Sequence, residues 1–588
     1  MSILSSLSGG LVAVQFLLFV IFAPISAFVL AGTCCAATSR GRQVRDYTEI
    51  SFDKIANCGA AAEIIAACNK QAAMGILTDG VAAQYACREC GLVCDHEVVL
   101  DERGRLLPWT SYDNIIRWSV NFIENCPTYP TKLGDDPWYL FAGCTIDGSR
   151  PRLGHTNIGH NVYWSVKTLA RYYAYTGDRD ILRHARLLVD RSMLFHTPED
   201  WAWPNVPRTQ DSNSDGEYTD DYSESDKICG VAVAYMDFYK LTGEDRYLDA
   251  ARRIADTIAM HVREGDKTHS PLPFRIKLET GEIATDASVA RAYKNEEVPA
   301  DYTAHMVSAV EMFDQLCELG ACDAESLYQA KRDQVLDWIL RYPIENNRWS
   351  GYYEDSLSSR YNLNQQSPLE TARYILDNPD IDPEYKEHVQ DLIRWVENHF
   401  GKAKHYGATS IKEQDKCFME MGSHTARYAS VVAKWFGVTG DPEDREEAHA
   451  SFALATYSAY NQYSRNGIAV NYVGIGFLHP WFSDSYFDYI SHFLEGMAEL
   501  PEMAPEDQDH IIGSSSMITQ AEYSPGQIEY RTFDPDGREI LRITFHPQVI
   551  ADGEPLAASQ WSFGEYRGVP GVLRIERRGV RHILIKAR

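Results

Sequence analysis

The chain repeats one design along most of its length. A run with apolar residues at i, i+3, i+4 and i+7 breaks at a short turn, and a second such run follows, which is the pattern of a helical hairpin. "NVYWSVKTLARYYAYTGDRDILRHARLLVDRSM" turns at Gly177, "GVAVAYMDFYKLTGEDRYLDAARRIADTIA" at Gly243 and "ARYASVVAKWFGVTGDPEDREEAHASFALATY" at Gly440. Weaker copies turn at Gly320 and near Pro379, and a last turn falls near Pro501. The spacings between successive turns are 66, 77, 59, 61 and 61 residues. A repeat of this size marks an array of stacked hairpins. Six turns predict a closed ring, an (α/α)6 toroid, and the helix at "SYDNIIRWSVNFI" is placed to complete it.

Connection lengths alternate. Turns inside hairpins take a few residues, whereas the connections between hairpins span about 194–226, 263–301, 342–365, 401–422 and 462–483. Long loops without their own secondary structure are usually functional. In an up-down ring the short turns share one rim and the long loops the other, so a site is expected at the long-loop mouth.

The predicted organisation has four parts. Residues 1–39 form a signal peptide or membrane anchor, 40–108 a helical, cysteine-containing lead-in, 109–510 the toroid and 517–588 a small all-β domain. The β assignment rests on alternating runs such as "QIEYRTFD-PDG-REILRITF", joined by a tight turn. This tail is expected to pack on the toroid as an accessory or a substrate-binding wall. The apolar run 11–32 implies export, as a secreted, periplasmic or membrane-anchored protein. Arg40, Arg42 and Arg45 follow the run, so an anchored form facing the cytosol stays open. Cys58, Cys68, Cys87, Cys90 and Cys94 crowd the lead-in, where "CRECGLVC" is half of a zinc-ribbon pattern; disulfides or buried thiols are the plainer reading.

Against 56 basic residues stand 83 acidic ones, a net charge of −27, which argues against a nucleic-acid partner. Much acid gathers in "DSNSDGEYTDDYSESDK", residues 211–227, inside the first long loop. Its opening matches the start of a calcium loop, with Asp211, Asn213 and Asp215 as oxygen ligands, Glu217 offering its carbonyl and Asp221 available to close the set. The position that should carry a bidentate acid is Tyr222, so an exposed acidic loop is the alternative to Ca2+.

Residues 109–505 resemble the six-hairpin glycosidase-like superfamily, on "ESDKICGVAVAYMDFYKLTGEDRYLDAARRIADTI" and "MGSHTARYASVVAKWFGVTGD". The resemblance implies a toroid and a carbohydrate substrate. Its members include unsaturated glucuronyl hydrolases, other inverting glycosidases, toroidal polysaccharide lyases and the helical domain of glucuronyl C5-epimerases. No catalytic signature of these is intact here, so fold analogy alone does not name the reaction.

The function expected first is that of a glycoside hydrolase acting on an oligo- or polysaccharide, which needs two carboxylates across a sugar, one protonated and one ionised. Asp226 stands at a helix start that opens into the mouth, where a helix cap is its ordinary role. Glu413 and Asp415, in "ATSIKEQDKCFMEMGSH", supply the second acid from another long loop. A lyase or uronate epimerase would instead use a base such as Tyr222, Tyr302 or His424. Trp201, Trp203, Trp349, Tyr353 and Trp481 are candidate sugar platforms, and Arg208 a candidate uronate clamp. His155 and His160 precede a helix, with capping or core roles open to them. A glycan-binding protein without catalysis is the third class of function.

Overall fold

Three of the hairpins turn on the same three-residue device. Thr176-Gly177-Asp178, Thr242-Gly243-Glu244 and Thr439-Gly440-Asp441 each end a helix with the glycine in the left-handed region, at φ +77°, +72° and +69°. In each, the threonine hydroxyl oxygen accepts the amide of the acidic residue two positions on, at 3.2, 3.3 and 3.1 Å. Asp178 and Asp441 then accept the amides of Asp180 and Glu443 and start the return helix. A helix stop, a reversal and a helix start thus fit into three residues.

The computed structural model describes residues 96–144, 151–152, 158–285, 299–322, 327–352, 362–415, 420–459 and 481–588, with short strands also at 86–87 and 92–93. Among them are twelve α-helices. They are α1 (Tyr112–Glu124), α2 (Ile158–Thr176), α3 (Leu182–Met193), α4 (Ser225–Thr242), α5 (Asp245–His261), α6 (Val307–Glu318), α7 (Leu327–Ile339), α8 (Gln366–Asp377), α9 (Tyr385–Phe400), α10 (Gly422–Thr439), α11 (Pro442–Thr456) and α12 (Asp488–Glu499). Helices α2, α4, α6, α8, α10 and α12 pack in that order, and α12 returns to α2, so the chain is an (α/α)6 toroid. The odd-numbered helices lie outside. Inner α4 and α10 are buried nearly all round, whereas outer α5 and α9 expose one face.

The sixth hairpin is assembled from both ends of the array. Helix α1 packs on α12, with the Tyr112 and Phe493 rings 5.5 Å apart, and Tyr175 of α2 donates to Asp113 at 3.0 Å. Every inner helix is entered from a long connection, so all six N-termini meet at one mouth.

The C-terminal part forms two antiparallel sheets. Its strands are β1 (His510–Ser514), β2 (Ile518–Ser524), β3 (Gln527–Thr532), β4 (Gly537–Arg542), β5 (Pro547–Ala551), β6 (Glu554–Pro555), β7 (Trp561–Tyr566), β8 (Val569–Arg577) and β9 (His582–Ala587). One sheet runs β1-β4-β8-β7 and the other β2-β3-β9-β5-β6. Buried Glu539 of the first accepts from Arg577 at 2.8 Å and from Tyr530 of the second at 3.2 Å. This domain sits on the short-turn rim, so it does not form a wall of the mouth. His510 stacks on Tyr175 at 3.8 Å, Tyr173 accepts the Ala521 amide at 2.9 Å, and Tyr523 donates to the Ala174 carbonyl at 2.5 Å.

Of the lead-in, expected to be helical, the described residues form short strands, including His96–Glu97, Val99–Leu100 and Leu106–Leu107. Here "HEVVL" carries adjacent β-branched residues that favour extended backbone. The apolar run 11–32 lies outside the described residues, as do Cys58, Cys68, Cys90, Cys94, His155 and Tyr353. Among the described residues no helix is long and apolar enough to cross a membrane. A disulfide joins Cys317 and Cys322 across the turn after α6.

The docked domain makes the three glycine turns unequal. A Cβ on Gly177 would stand 2.9 Å from Cδ2 of Tyr523, whereas one on Gly243 meets nothing within 4 Å. Gly243→Ala should carry only the left-handed backbone penalty, about 1 kcal/mol. Gly177→Ala should lower the melting temperature further, and pairing it with Tyr523→Ala should recover part of the difference in a thermal melt.

Candidate functional site

The inner helices carry polar side chains toward the axis from their first turns. The third residue is His160 in α2, Lys227 in α4 and His424 in α10, all buried. His305 lies just before α6, Gln366 opens α8, and Asp488 opens α12 directly after a π-helical turn, Ser483–Phe487. A cavity of about 70 Å³ runs along the axis from these helix starts, lined by His160, Asp226, Lys227, His305, Gln366 and Glu370 with the rings of Tyr163 and Trp164, and farther along by Lys167, Glu311, Arg373 and Asp377.

Lys227 organises one side. Its Nζ lies 2.9 Å from Glu224 Oε2, 2.9 Å from Asp226 Oδ2 and 3.9 Å from the centre of the Tyr352 ring. Arg275 Nε is 2.9 Å from Glu224 Oε1, and both side chains are buried. Burial alone would raise Glu224, but Lys227 and Arg275 outweigh it and hold the group below the usual carboxylate range. Asp226 has the single cation Lys227 as its partner. Burial, with Glu224 nearby, pushes it up to about 6 against the pull of that lysine. Ser308 donates to the Asp226 carbonyl at 3.1 Å, tying the start of α4 to α6.

Tyr352 joins the histidines. Gln366 Nε2 donates to its hydroxyl at 2.6 Å, His160 Nδ1 lies 3.4 Å from it, and the His305 ring stands 4.9 Å from the tyrosine ring. Burial first, then the neighbouring Lys227, lowers both imidazoles, His305 to about 3 and His160 well below its ordinary value. Both are therefore neutral at ordinary pH. His305 Nδ1 is buried without a hydrogen-bond partner.

On the other side Arg427 spans two acids. Its Nε is 3.0 Å from Glu370 Oε1, Nη2 pairs with Asp488, and Nη1 donates to His424 Nδ1 at 2.9 Å. Arg373 holds the other Glu370 oxygen at 3.1 Å. Burial would raise Glu370, but the two guanidiniums hold it at about 2. Burial, then the neighbouring Asp488, pushes Asp484 up to about 7; burial, with Glu370 nearby, pushes Asp488 up to about 7 against the pull of Arg427.

The acidic stretch 211–227 divides in two. Its first half is a small hairpin closed by the Ser212–Tyr218 bridge. Asn213 Oδ1 accepts the amides of Asp215 and Glu217, at 2.9 and 3.0 Å, and Asp215 pairs with Lys132. Asp220 is buried, accepting from the Thr209 and Gln210 amides at 3.1 Å each, and Asp221 is exposed. Among the described residues the carboxylates of Asp211, Asp215, Glu217 and Asp221 do not gather as one donor group. The second half, Glu224 to Lys227, belongs to the axial site.

The other expected residues are dispersed. Glu413 is buried and Asp415 exposed, and neither lines the cavity. Tyr222 pairs with Lys277 in a two-stranded ladder beside the loop. Trp203 is 2% exposed and stacks on His261, and Trp349 is 0% exposed, so neither offers a free face. Trp201 carries the Arg208 guanidinium 4.9 Å from its ring, and Arg208 also donates to the Asp220 carbonyl at 2.6 Å. Trp481 is half-buried and bridged to Gly143. Tyr302 is buried and donates to the Arg348 carbonyl at 3.0 Å. His305, Gln366, Glu370, Arg427, Asp484 and Asp488 carry no motif; the available signal is their place within about five residues of an inner helix start, whereas Tyr352 comes from the aromatic stretch of the long connection before α8.

No family model and no curated protein matches the chain. Solved structures do. Cellobiose 2-epimerase from Spirochaeta thermophila is similar at TM-score 0.47 and 12% identity, over 62% of this chain and 90% of its own. D-mannose isomerase gives 0.47 and 11%, over 66% and 97%. Unsaturated glucuronyl hydrolase from Bacillus sp. GL1 gives 0.40 and 11%, over 65% and 94%. These neighbours are carbohydrate-active enzymes, and glucuronyl hydrolases are among the proteins the sequence resemblance names.

Removing Lys227 would leave Glu224 with Arg275 alone and Asp226 with no cation. Breaking a buried pair in this way costs about 3–5 kcal/mol. Lys227→Met is expected to lower stability by that order in denaturant melts. Lys277→Met, at an exposed pair with Glu282, should change it by less than about 1 kcal/mol.

Proposed function

We propose that the chain is a carbohydrate-active enzyme that moves protons beside the carbonyl of a sugar, as in aldose–ketose isomerisation or epimerisation. The observation that carries this reading is one cavity lined by a carboxyl raised toward neutrality, Asp226, and a neutral imidazole, His305. Proton abstraction beside a carbonyl takes a general base and a general acid within reach of one substrate. His305 takes the proton from the carbon next to the carbonyl while Asp226 gives its proton to the carbonyl oxygen, forming an enediol. The Asp226 carboxylate so formed is stabilised by Lys227 at 2.9 Å. Returning a proton to the neighbouring carbon gives the isomer, and returning it to the opposite face gives the epimer. The polar groups that line the cavity suit a polyhydroxylated substrate that hydrogen-bonds along its edge.

Hydrolysis is the second reading, favoured by the carboxylates of Asp226 and Glu370 lining the same cavity, one raised and one ionised. Incubation of sugars with the protein in D2O separates the two. Isomerisation places deuterium on the carbon beside the carbonyl; hydrolysis creates new reducing ends without that label. Asp226→Asn and His305→Gln should each lower the exchange rate by about 10²–10⁴. The wild-type rate should fall as pH rises through about 6, where Asp226 gives up its proton. A rate flat from pH 5 to 8 would remove Asp226 as the acid.

A further inference from the structure

Behind His160, one of the residues that line the axial cavity, stands a donor group that the proton chemistry above does not use. His160, Asp484 and Asp488 each offer one ligand atom, and all three atoms lie within 4.8 Å of one another. They come from two neighbouring inner helices, α2 and α12 with its preceding turn. That turn is π-helical, so Asp484 and Asp488, four residues apart, fall nearly one above the other and face the same way.

The partners of these side chains leave donor capacity open. Arg427 takes one oxygen of Asp488. The other, Oδ1, is buried 2.5 Å from His492 Nε2, and a carboxylate oxygen keeps a second lone pair beside such a contact. Among the described residues no hydrogen bond or ion pair engages the Asp484 carboxylate, while Arg427, the cation paired with Asp488, is shared with Glu370. Two carboxylates therefore stand side by side in the interior, with Arg427 paired to Asp488 alone of the two. His160 can donate from Nδ1 to the Tyr352 hydroxyl at 3.4 Å, which leaves Nε2 with its lone pair for a ligand bond.

We infer that His160, Asp484 and Asp488 hold one first-row divalent cation, of the Mn2+ or Zn2+ type, behind the cavity lining. One imidazole with two carboxylates is a donor set for such ions, whereas calcium and magnesium prefer oxygen alone. His492 and Arg427 then act from outside the ligand set by fixing the Asp488 carboxylate. Three protein ligands leave further positions for water or for sugar hydroxyls on the cavity side. The site stands apart from the acidic hairpin at 211–221 and does not depend on the reaction proposed above.

The test uses the full chain, stripped with chelator and titrated with Mn2+, with free ion followed by electron paramagnetic resonance. One ion per chain is expected. Asp484→Asn should weaken binding at least tenfold, and Asp211→Asn should leave it unchanged. Co2+ should give a visible absorption band that Asp484→Asn removes. Among the described residues Asp484 has no partner to lose, so this variant decides even if Asp488→Asn fails to fold. Absence of saturable Mn2+ binding, or equal binding by wild type and Asp484→Asn, would overturn the assignment.

Discussion

Closure of the ring is the constraint on which everything else depends. Six helices packed side by side around an axis bring six N-termini to one mouth, each with unpaired amides and a positive dipole end. They also bring side chains from six directions into a narrow interior. An apolar filling would make this only a core. Here the filling is charged, and Arg427, bound to Glu370 and Asp488, ties α8, α10 and α12 together on the axis. Burying that arginine is tolerable because both acids are in place, and the acids are held because the arginine is there. Stability of the ring and polarity of the cavity are thus one property.

The toroid is legible in the sequence because its marks are local. Thr-Gly-Asp punctuation, 3.6-residue periodicity and the alternation of short and long connections can each be read within a few dozen residues. They predict the hairpin number, the side of the mouth and the helix at 112–124 that completes the ring. The axial site is far less legible. Inner helices are buried all round, so a histidine or arginine in them breaks no amphipathic pattern. Arg427 and Glu370 read as ordinary helical residues until a structure sets them 3.0 Å apart. Asp226 is legible only because an acid at a helix start attracts notice.

Loop tryptophans mislead for a related reason. A long connection without regular structure still has to be pinned to the body, and large apolar rings do the pinning. Trp203 and Trp349 serve this end, with their faces covered by the protein itself. The acidic stretch misleads in the opposite direction. Its charge looks like one feature, yet Asp215 faces Lys132, Asp220 caps backbone amides and Glu224 faces Arg275 and Lys227. Each carboxylate answers a different neighbour from a different part of the chain, and no window of sequence contains those neighbours.

The position of the β domain limits what the mouth can do. Docked on the short-turn rim against Tyr173, Ala174 and Tyr175, it leaves the long-loop side to the loops alone. The cavity is not confined to the helix starts: Lys167, Glu311, Arg373 and Tyr374 line it as well, and its lining follows α8 from Gln366, the first residue, to Asp377, the last. Lys167 pairs with Glu311 at 2.8 Å and Arg373 with Glu495, so the charges farther along the axis already have partners. The raised carboxyl of Asp226 and the unpartnered Nδ1 of His305 therefore set the helix-start end of the cavity apart from the rest of its lining.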